Sequence, residues 1–461
     1  MRAREVLSRW AVPALACVAA LLYALPGLLA HWHFGSNYDL AIFDQAVWHL
    51  SRFEAPASSV RGLSTLLGDH FSPILATIAP LYWIAPAPET LIVLQACLFA
   101  ASIFPVHAFL RRRLAHAQAL ALCLAYVLFW GLQRAAAFDF HEVAFVPLFI
   151  ALALFAMDAR RFVLLWAAAA ALALVKEDLL PFLACVGAWL IVRGDRRQGT
   201  ALVVASLAAF VVIVRLVVPA FNDHGVYMYG GTYRDVLLRP WSLPITLVTP
   251  PVKALTMAMW LAPFAFLPLF SPLVLLAAPF ALVRFLSASP FHWGTAFHYS
   301  APLAPILVMA AGDGLARLAR RVTGGRGRQW ILRGFPAVAI LLSLVLPGRQ
   351  PMFRLFRGGQ FEETAFLASG KRALATVPDD ASVVAQTAIA PHLAHRHALY
   401  PLDAHAPDAD FVIVASGLSP WPLPSEAELW KVVEARRASG YAVAFEENGW
   451  VVLRRGPVPT R

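Results

Sequence analysis

Long apolar runs separated by short polar joints fill most of the chain, and several approach the roughly 20 residues that a bilayer-spanning helix requires. Their positions predict eleven spans, near residues 10–30, 89–110, 116–134, 143–157, 162–176, 179–193, 199–219, 254–270, 271–288, 301–318 and 330–347. The runs near 143–157 and 162–176 are short, so their helices are expected to extend into flanking residues. Phe71–Pro86 (FSPILATIAPLYWIAP) is apolar but short and proline-rich. It reads as an interfacial or re-entrant helix, with Tyr82 and Trp83 suited to the headgroup level. From about Pro347 the pattern changes. SVVAQ, HALYPL, DFVIVAS, YAVAFEE and GWVVLRR are short β-like runs, and SEAELWKVVEARRASG reads as an amphipathic helix with Ser425 as cap and Gly440 as stop. EENGW, Glu446 to Trp450, reads as a hairpin turn. The expected architecture is an all-α polytopic membrane domain over residues 1–347, with a long first extracytoplasmic loop at 31–88, followed by a small soluble α/β domain over 348–461.

Composition agrees. Of 461 residues, 60% are hydrophobic and 14% charged, against roughly 25% charged in a soluble globular protein. Cys17, Cys97, Cys123 and Cys185 all fall in apolar runs, so no disulfide framework or cysteine metal site is implied. The run Trp10–Ala30 lacks a convincing small-residue cleavage site and reads as an uncleaved first span.

The net charge of +11 does not point to nucleic acid, because the arginines sit in short clusters between apolar runs with no continuous basic face. Such clusters set membrane orientation. With the N-terminus in the cytoplasm, the cytoplasmic segments hold Arg2, Arg4, Arg9, Arg111–Arg113, Arg160, Arg161, Arg193, Arg196, Arg197, Arg317, Arg320, Arg321, Arg326, Arg328 and Arg333. The opposite loops hold Arg52, Arg61, Arg134, Lys176, Arg234, Arg239 and Lys253, which is seventeen against seven, the sign the positive-inside rule demands. An odd number of spans then puts the C-terminus outside.

On this topology the outer loops collect Asp39, Asp44, Asp69, His70, Asp139, His141, Glu142, Glu177, Asp178, His292, His298 and Tyr299. Solvation alone accounts for some loop acids. The loops 134–142 and 176–178, however, are too short to stand free, so their acids sit at helix ends inside the membrane boundary, where ionisable groups are costly and are functional candidates by default. NYDLAIFDQAVWHL reads as an amphipathic helix through Leu40, Phe43, Val47 and Leu50. Asp39 at its start suits either an N-cap or a chemical role. Asp44, five residues on, points about 140° away round the helix. Asp69, His70, His141, Glu142 and Glu177 are of the ligand types that hold a divalent metal such as Mg or Mn, without any HExxH-like spacing. Arg215 and Arg284 lie within apolar runs near their outer ends; they suit either snorkelling or gripping a phosphate. The loop Phe221–Pro251 adds Asn222, Asp223, His224, Tyr227, Tyr229, Tyr233 and Arg234, a polar-aromatic mix suited to sugars or to a structured interfacial loop.

YDLAIFDQAVW (Tyr38–Trp48), GDHFSP (Gly68–Pro73), DFHE (Asp139–Glu142), KEDLLP (Lys176–Pro181), HYSAPLAP (His298–Pro305) and SVVAQTAIAPHLAHR (Ser382–Arg396) together resemble the bacterial membrane family known as domain of unknown function 2079, over nearly the whole chain. A wider resemblance is to the GT-C superfamily of membrane glycosyltransferases. That resemblance implies a bacterial plasma-membrane enzyme, a polyprenyl-phosphate-linked sugar as donor, and an extracytoplasmic glycan, lipid or protein as acceptor. It also implies that Asp39 matches the acidic residue of the first outer loop that acts as base. Many relatives carry two adjacent acids where this chain has Tyr-Asp-Leu, which keeps Asp44 as a competing catalytic candidate. Asp69, His70, Asp139, His141, Glu142, Glu177, Asp178, Arg215, Arg284, His292, His298 and Tyr299 are then the candidate substrate-binding residues. A transporter or flippase of envelope lipids predicts ionisable groups deep in mid-span, and the sequence has few. A non-catalytic envelope scaffold predicts that Asp39→Asn leaves function intact.

Overall fold

The computed structural model describes residues 2–231, 238–348 and 350–456, so Tyr233 and Arg234 lie outside the described residues. Among the described residues, four helices are long and apolar enough to cross a membrane: Trp10–Trp32, Pro88–Arg111, Arg196–Phe221 and Gly325–Val345. Two bent pairs, His116–Leu128 with Trp130–Ala136 and Pro240–Val248 with Pro251–Phe264, bring the number to six if each is one span. The other expected spans are shorter or broken elements, except that at 301–318, where Leu303–Arg321 is an unbroken 19-residue helix set apart by the charges of Asp313, Arg317, Arg320 and Arg321. A 3-10 turn, Glu142–Phe145, lengthens the Val146–Asp158 helix at its start. The Phe162–Val175 helix gains nothing, because Lys176 adopts an extended conformation (φ −166°, ψ 141°) and ends it. At 1.5 Å per residue its 14 residues reach about 21 Å, short of the ~30 Å hydrocarbon layer. Phe71–Pro86 folds as the 3-10 turn Pro73–Thr77 and the single helical turn Ala79–Tyr82, neither long enough to cross.

At the centre runs Leu303–Arg321, buried along nearly its whole length. Two of its glycines admit close neighbours: a Cβ at Gly312 would strike Leu110, and one at Gly314 would strike the Leu267 carbonyl. Its polar end joins a network in which Asp313 pairs with Arg113 at 3.1 Å and Arg317 at 2.6 Å, and Asp158 pairs with Arg112 at 2.7 Å and with Arg113. Arg160 and Asp195 close a further pair. One set of alternate loops thus gathers a basic network, and the other set gathers the acids.

The first loop is organised by the Tyr38–Ser51 helix. Asn37 occupies its cap position but offers no side-chain bond. Asp139, a hundred residues away, takes that role: its carboxylate accepts from Asn37 N at 2.9 and 3.0 Å and from Leu40 N at 3.2 Å. A negative charge there also meets the positive end of the helix dipole.

The C-terminal part forms a five-stranded mixed sheet of β1 (Val383–Ala385), β2 (Leu399–Pro401), β3 (Phe411–Ala415), β4 (Tyr441–Glu447) and β5 (Trp450–Arg455), in the order β2-β1-β3-β5-β4. β1 pairs in parallel with β2 and β3, while β5 pairs antiparallel with β3 and β4. Asn448 and Gly449, both at positive φ, make the β4–β5 turn. The Glu426–Ala438 helix is capped by the Ser425 side chain, which accepts from Glu428 N, and Gly440 follows it at φ 99°. Trp450, fully buried, packs against Phe34 at 4.7 Å and Phe366 at 5.2 Å, which fixes the sheet to the chain leaving the first helix.

Two stability predictions follow from these contacts. Leu180–Val192 and Arg196–Val212 approach so closely that a Cβ on Gly187 would lie 2.8 Å from the Gly199 carbonyl oxygen. Gly187→Leu should therefore cost about 1–3 kcal/mol, seen as a lower thermal midpoint in detergent, while an equally bulky change at exposed Val192 should not. Asp139→Ala removes the cap of the Tyr38–Ser51 helix and should cost about 0.5–2 kcal/mol; an unchanged midpoint would rule out the capping role.

Candidate functional site

Asp39 stands in the first turn of the Tyr38–Ser51 helix. Its side chain is 26% exposed, and Oδ2 lies 3.7 Å from His141 Nε2. The His141 ring packs on His298 with centroids 3.9 Å apart and is flanked by Phe43 and Phe138. His298 meets Tyr299 at 4.3 Å, and Tyr299 lies against His292 and beside the Arg284 guanidinium. Burial, reinforced by the charges of His141 and Lys176, pushes His298 well below the ordinary imidazole range, so its ring is neutral near pH 7.

Next to His141, Glu142 pairs with Lys176 at 2.9 Å. The following residue, Glu177, is wholly buried. It meets His70 Nδ1 at 2.7 Å and accepts from Phe71 N at 2.9 Å and from the Tyr227 hydroxyl at 3.0 Å. Asp69 accepts from Arg61 at 3.2 Å and from the Tyr229 hydroxyl at 2.7 Å, and Tyr229 stacks on His70 at 4.4 Å. The chain Asp39–His141–Glu142–Lys176–Glu177–His70–Asp69 therefore runs without a break along one end of the bundle. Asp178 sits beside Lys176 with Oδ1 buried and unpartnered among the described residues. Asn222 seals the edge by donating to the Gly68 carbonyl at 2.8 Å, where a Cβ on Gly68 would strike the Phe221 carbonyl.

Not every candidate joins this cluster. Asp44 is buried on another side of the helix, bonded to the Tyr82 hydroxyl and 3.1 Å from His395 of the C-terminal part. The five-residue offset from Asp39 explains the separation. Asp139 is spent on the helix cap. Arg215 lies exposed on a π-helical turn, Ile213–Val217, and does not pair with Arg284. Arg284 itself is buried, and it donates to the carbonyls of His292 and Gly294 and, at 2.6 Å, to Ser300 Oγ. The five residues offered as ligands for Mg or Mn do not bring three ligand atoms to one point among the described residues: Glu177 does meet His70, but Asp69 and Glu142 face Arg61 and Lys176 instead. Among the described residues, the group that does gather is His49, Glu54 and His397.

Sequence reasoning passed over Lys176 and Lys253 as site residues. Lys253 is buried and donates to the carbonyls of Thr246 at 2.9 Å and Phe285 at 2.6 Å, with Nζ 4.5 Å from the Trp293 ring. Among the described residues neither it nor Arg284 has a carboxylate partner. The signal for Lys176 was its place directly after an apolar run. Lys253 directly precedes the run 254–270 and counted only as a loop charge.

The crystal structure of ArnT from Cupriavidus metallidurans bound to undecaprenyl phosphate has the same fold: the TM-score is 0.55 at 14% identity, covering 97% of this chain and 99% of that one. No curated protein matches the sequence. The sequence pattern of the family described as "Predicted membrane protein (DUF2079)" matches residues 30–452, and the apolar helices agree with a multi-pass membrane protein, so the chain belongs to that family.

Proposed function

We propose that this protein is a GT-C-type transferase of the bacterial plasma membrane that moves a sugar from a polyprenyl-phosphate carrier to an extracytoplasmic acceptor, a glycan, lipid or protein. The observation that carries this reading is the unequal treatment of the acids. Asp69, Asp139, Glu142 and Glu177 are each satisfied by fixed donors. Asp39 is partly exposed and, among the described residues, pairs with His141 alone, at 3.7 Å. Asp178 also leaves one oxygen unpartnered among the described residues, but that oxygen is buried; a carboxylate left accessible within a desolvated cluster of largely compensated acids is suited to take a proton. The arginine-rich network at the opposite end of the bundle supports an outward-facing acidic end. Support for a polyprenyl carrier comes from ArnT, which shares the fold and was crystallised with undecaprenyl phosphate.

In this reading Asp39 accepts the proton of the acceptor hydroxyl as that oxygen attacks the anomeric carbon. The bond from the anomeric carbon to the phosphate oxygen breaks, and polyprenyl phosphate leaves with the electron pair from the opposite face, so the configuration inverts. Arg284 and Lys253 bind carbonyl and hydroxyl oxygens instead of carboxylates, so their positive charge is not neutralised locally and favours the leaving phosphate. His141, packed in one group of rings with His298 and Phe138, orients Asp39.

In a transfer assay with radiolabelled polyprenyl-phosphate sugars, Asp39→Asn should lower turnover by about 10²–10⁴-fold while leaving the thermal midpoint near wild type. Turnover of Asp39→Asn at the wild-type rate would remove Asp39 from the chemistry.

The Glu177 charge makes a separate prediction about pH. Burial pushes this carboxyl up, but the His70 charge and hydrogen bond, then Lys176 and the Phe71 N–H, outweigh it and hold the group at about 2, below its ordinary 4.5. A depressed carboxyl contributes stability that is complete above the ordinary value and is lost as pH falls through the depressed one. The wild-type thermal midpoint should therefore drop between about pH 5 and about pH 2. Glu177→Gln, already less stable at neutral pH, should drop less over that window; parallel curves for the two proteins would contradict the assignment.

A further inference from the structure

The helix that carries Asp39 in its first turn ends beside a second cluster. His49 lies in its last turn, Glu54 follows shortly after, and His397 arrives from the segment between the 3-10 turn Ala390–Leu393 and β2. One ligand atom from each lies within 4.8 Å of the others. His49 Nδ1 is 2.6 Å from Glu54 Oε2, and the His49 and His397 rings are 5.1 Å apart. His49 is buried, while Glu54 and His397 are exposed. Arg52 approaches the other Glu54 oxygen, Oε1, at 3.7 Å, which leaves Oε2 toward the two imidazoles.

We infer that His49, Glu54 and His397 form a three-ligand site for a divalent transition-metal ion of the zinc type, which clamps the C-terminal segment onto the first loop. Two imidazoles and one carboxylate suit zinc better than magnesium, which prefers oxygen ligands and keeps its waters. Two ligands on one tetrahedral zinc, each about 2.0–2.1 Å from the ion, stand roughly 3.3 Å apart. The His49–Glu54 pair is tighter than that, so Oε2 must withdraw by roughly 0.7 Å to admit the ion. Glu54 is exposed just past the end of the helix and free to make that move, and exposed His397 can close from the other side. The fourth position faces solvent and takes water.

The consequence lies in what the ligands join. His397 belongs to a segment already seated on the first loop: His395 faces Asp44 at 3.1 Å, His392 stacks on His31 at 4.0 Å, and Leu399 N donates to Ser59 Oγ at 2.9 Å. An ion that requires residues from both parts adds its binding free energy to their docking. The site does not depend on the transferase reading.

The test uses the full-length protein in detergent, stripped of metal by a chelator and titrated with zinc chloride by calorimetry. About one zinc per chain is expected, with a rise in thermal midpoint that magnesium does not reproduce. His397→Ala and Glu54→Gln alter exposed side chains; each should weaken zinc binding at least about tenfold and abolish the rise, with metal-free midpoints close to wild type. His405→Ala, an exposed histidine outside the cluster, should leave both unchanged. A wild-type protein that binds no zinc, or variants that bind it as the wild type does, would overturn the site. Zinc bound at this site with no rise in midpoint would overturn the clamp.

Discussion

Charge taken out of water costs several kcal/mol per ion unless partners compensate it, and at the edge of a bilayer water supplies that compensation poorly. The cluster of acids at one end of this bundle meets the constraint by assigning fixed donors. Glu142 has Lys176, Glu177 has His70 and Tyr227, and Asp69 has Arg61 and Tyr229. These partners come from three separate stretches of chain, so satisfying the charges also closes the loops over one another. The same bonds that make the acids tolerable thereby determine how the first loop, the Lys176 turn and the Asn222–Tyr229 stretch are arranged.

Asp139 shows how far this coupling reaches. Its carboxylate serves the backbone of a helix that begins about a hundred residues earlier. Without it the first turn of Tyr38–Ser51 would present unsatisfied N–H groups in a buried setting, which is costly. Asp39 sits in that turn. Its placement thus follows from a bond made by a different acid, one that sequence inspection grouped with the substrate-binding candidates.

What could be read in advance follows the reach of each interaction. The alternating runs of the C-terminal part and the Ser425 cap depend on neighbours within a few residues, and all five strands and the Glu426–Ala438 helix appear where their patterns placed them. The spans were legible as apolar runs but not as a count, because helices such as Phe162–Val175 stop where Lys176 and Glu177 are drawn toward partners elsewhere. The gathering of acids on one set of loops was legible too, since it needs only the alternation of spans. Which acid pairs with which cation was not, because His70 to Glu177 and Arg113 to Asp313 close over a hundred residues or more. Arg284 illustrates the limit: a charge in an apolar run reads equally as a phosphate grip or a snorkel, and the run gives no sign that its side chain also staples the carbonyls of its own loop.

The C-terminal sheet belongs in the same account. It is held by Trp450 against Phe34 on one side and by the 392–399 segment against the first loop on the other. Gln45 Nε2 donates to the Arg396 carbonyl at 2.7 Å, and Asp44 faces His395. The Tyr38–Ser51 helix is therefore gripped along its length, by Asp139 at its start, by the C-terminal segment at its middle and by the Trp48–His397 contact near its end. A helix restrained at three points can turn or slide very little. A reactive carboxylate needs placement to about 0.5 Å, and a lone 14-residue helix in a loop would not supply it. The sheet need not touch substrate to matter, because holding this helix is enough to connect it to whatever Asp39 does.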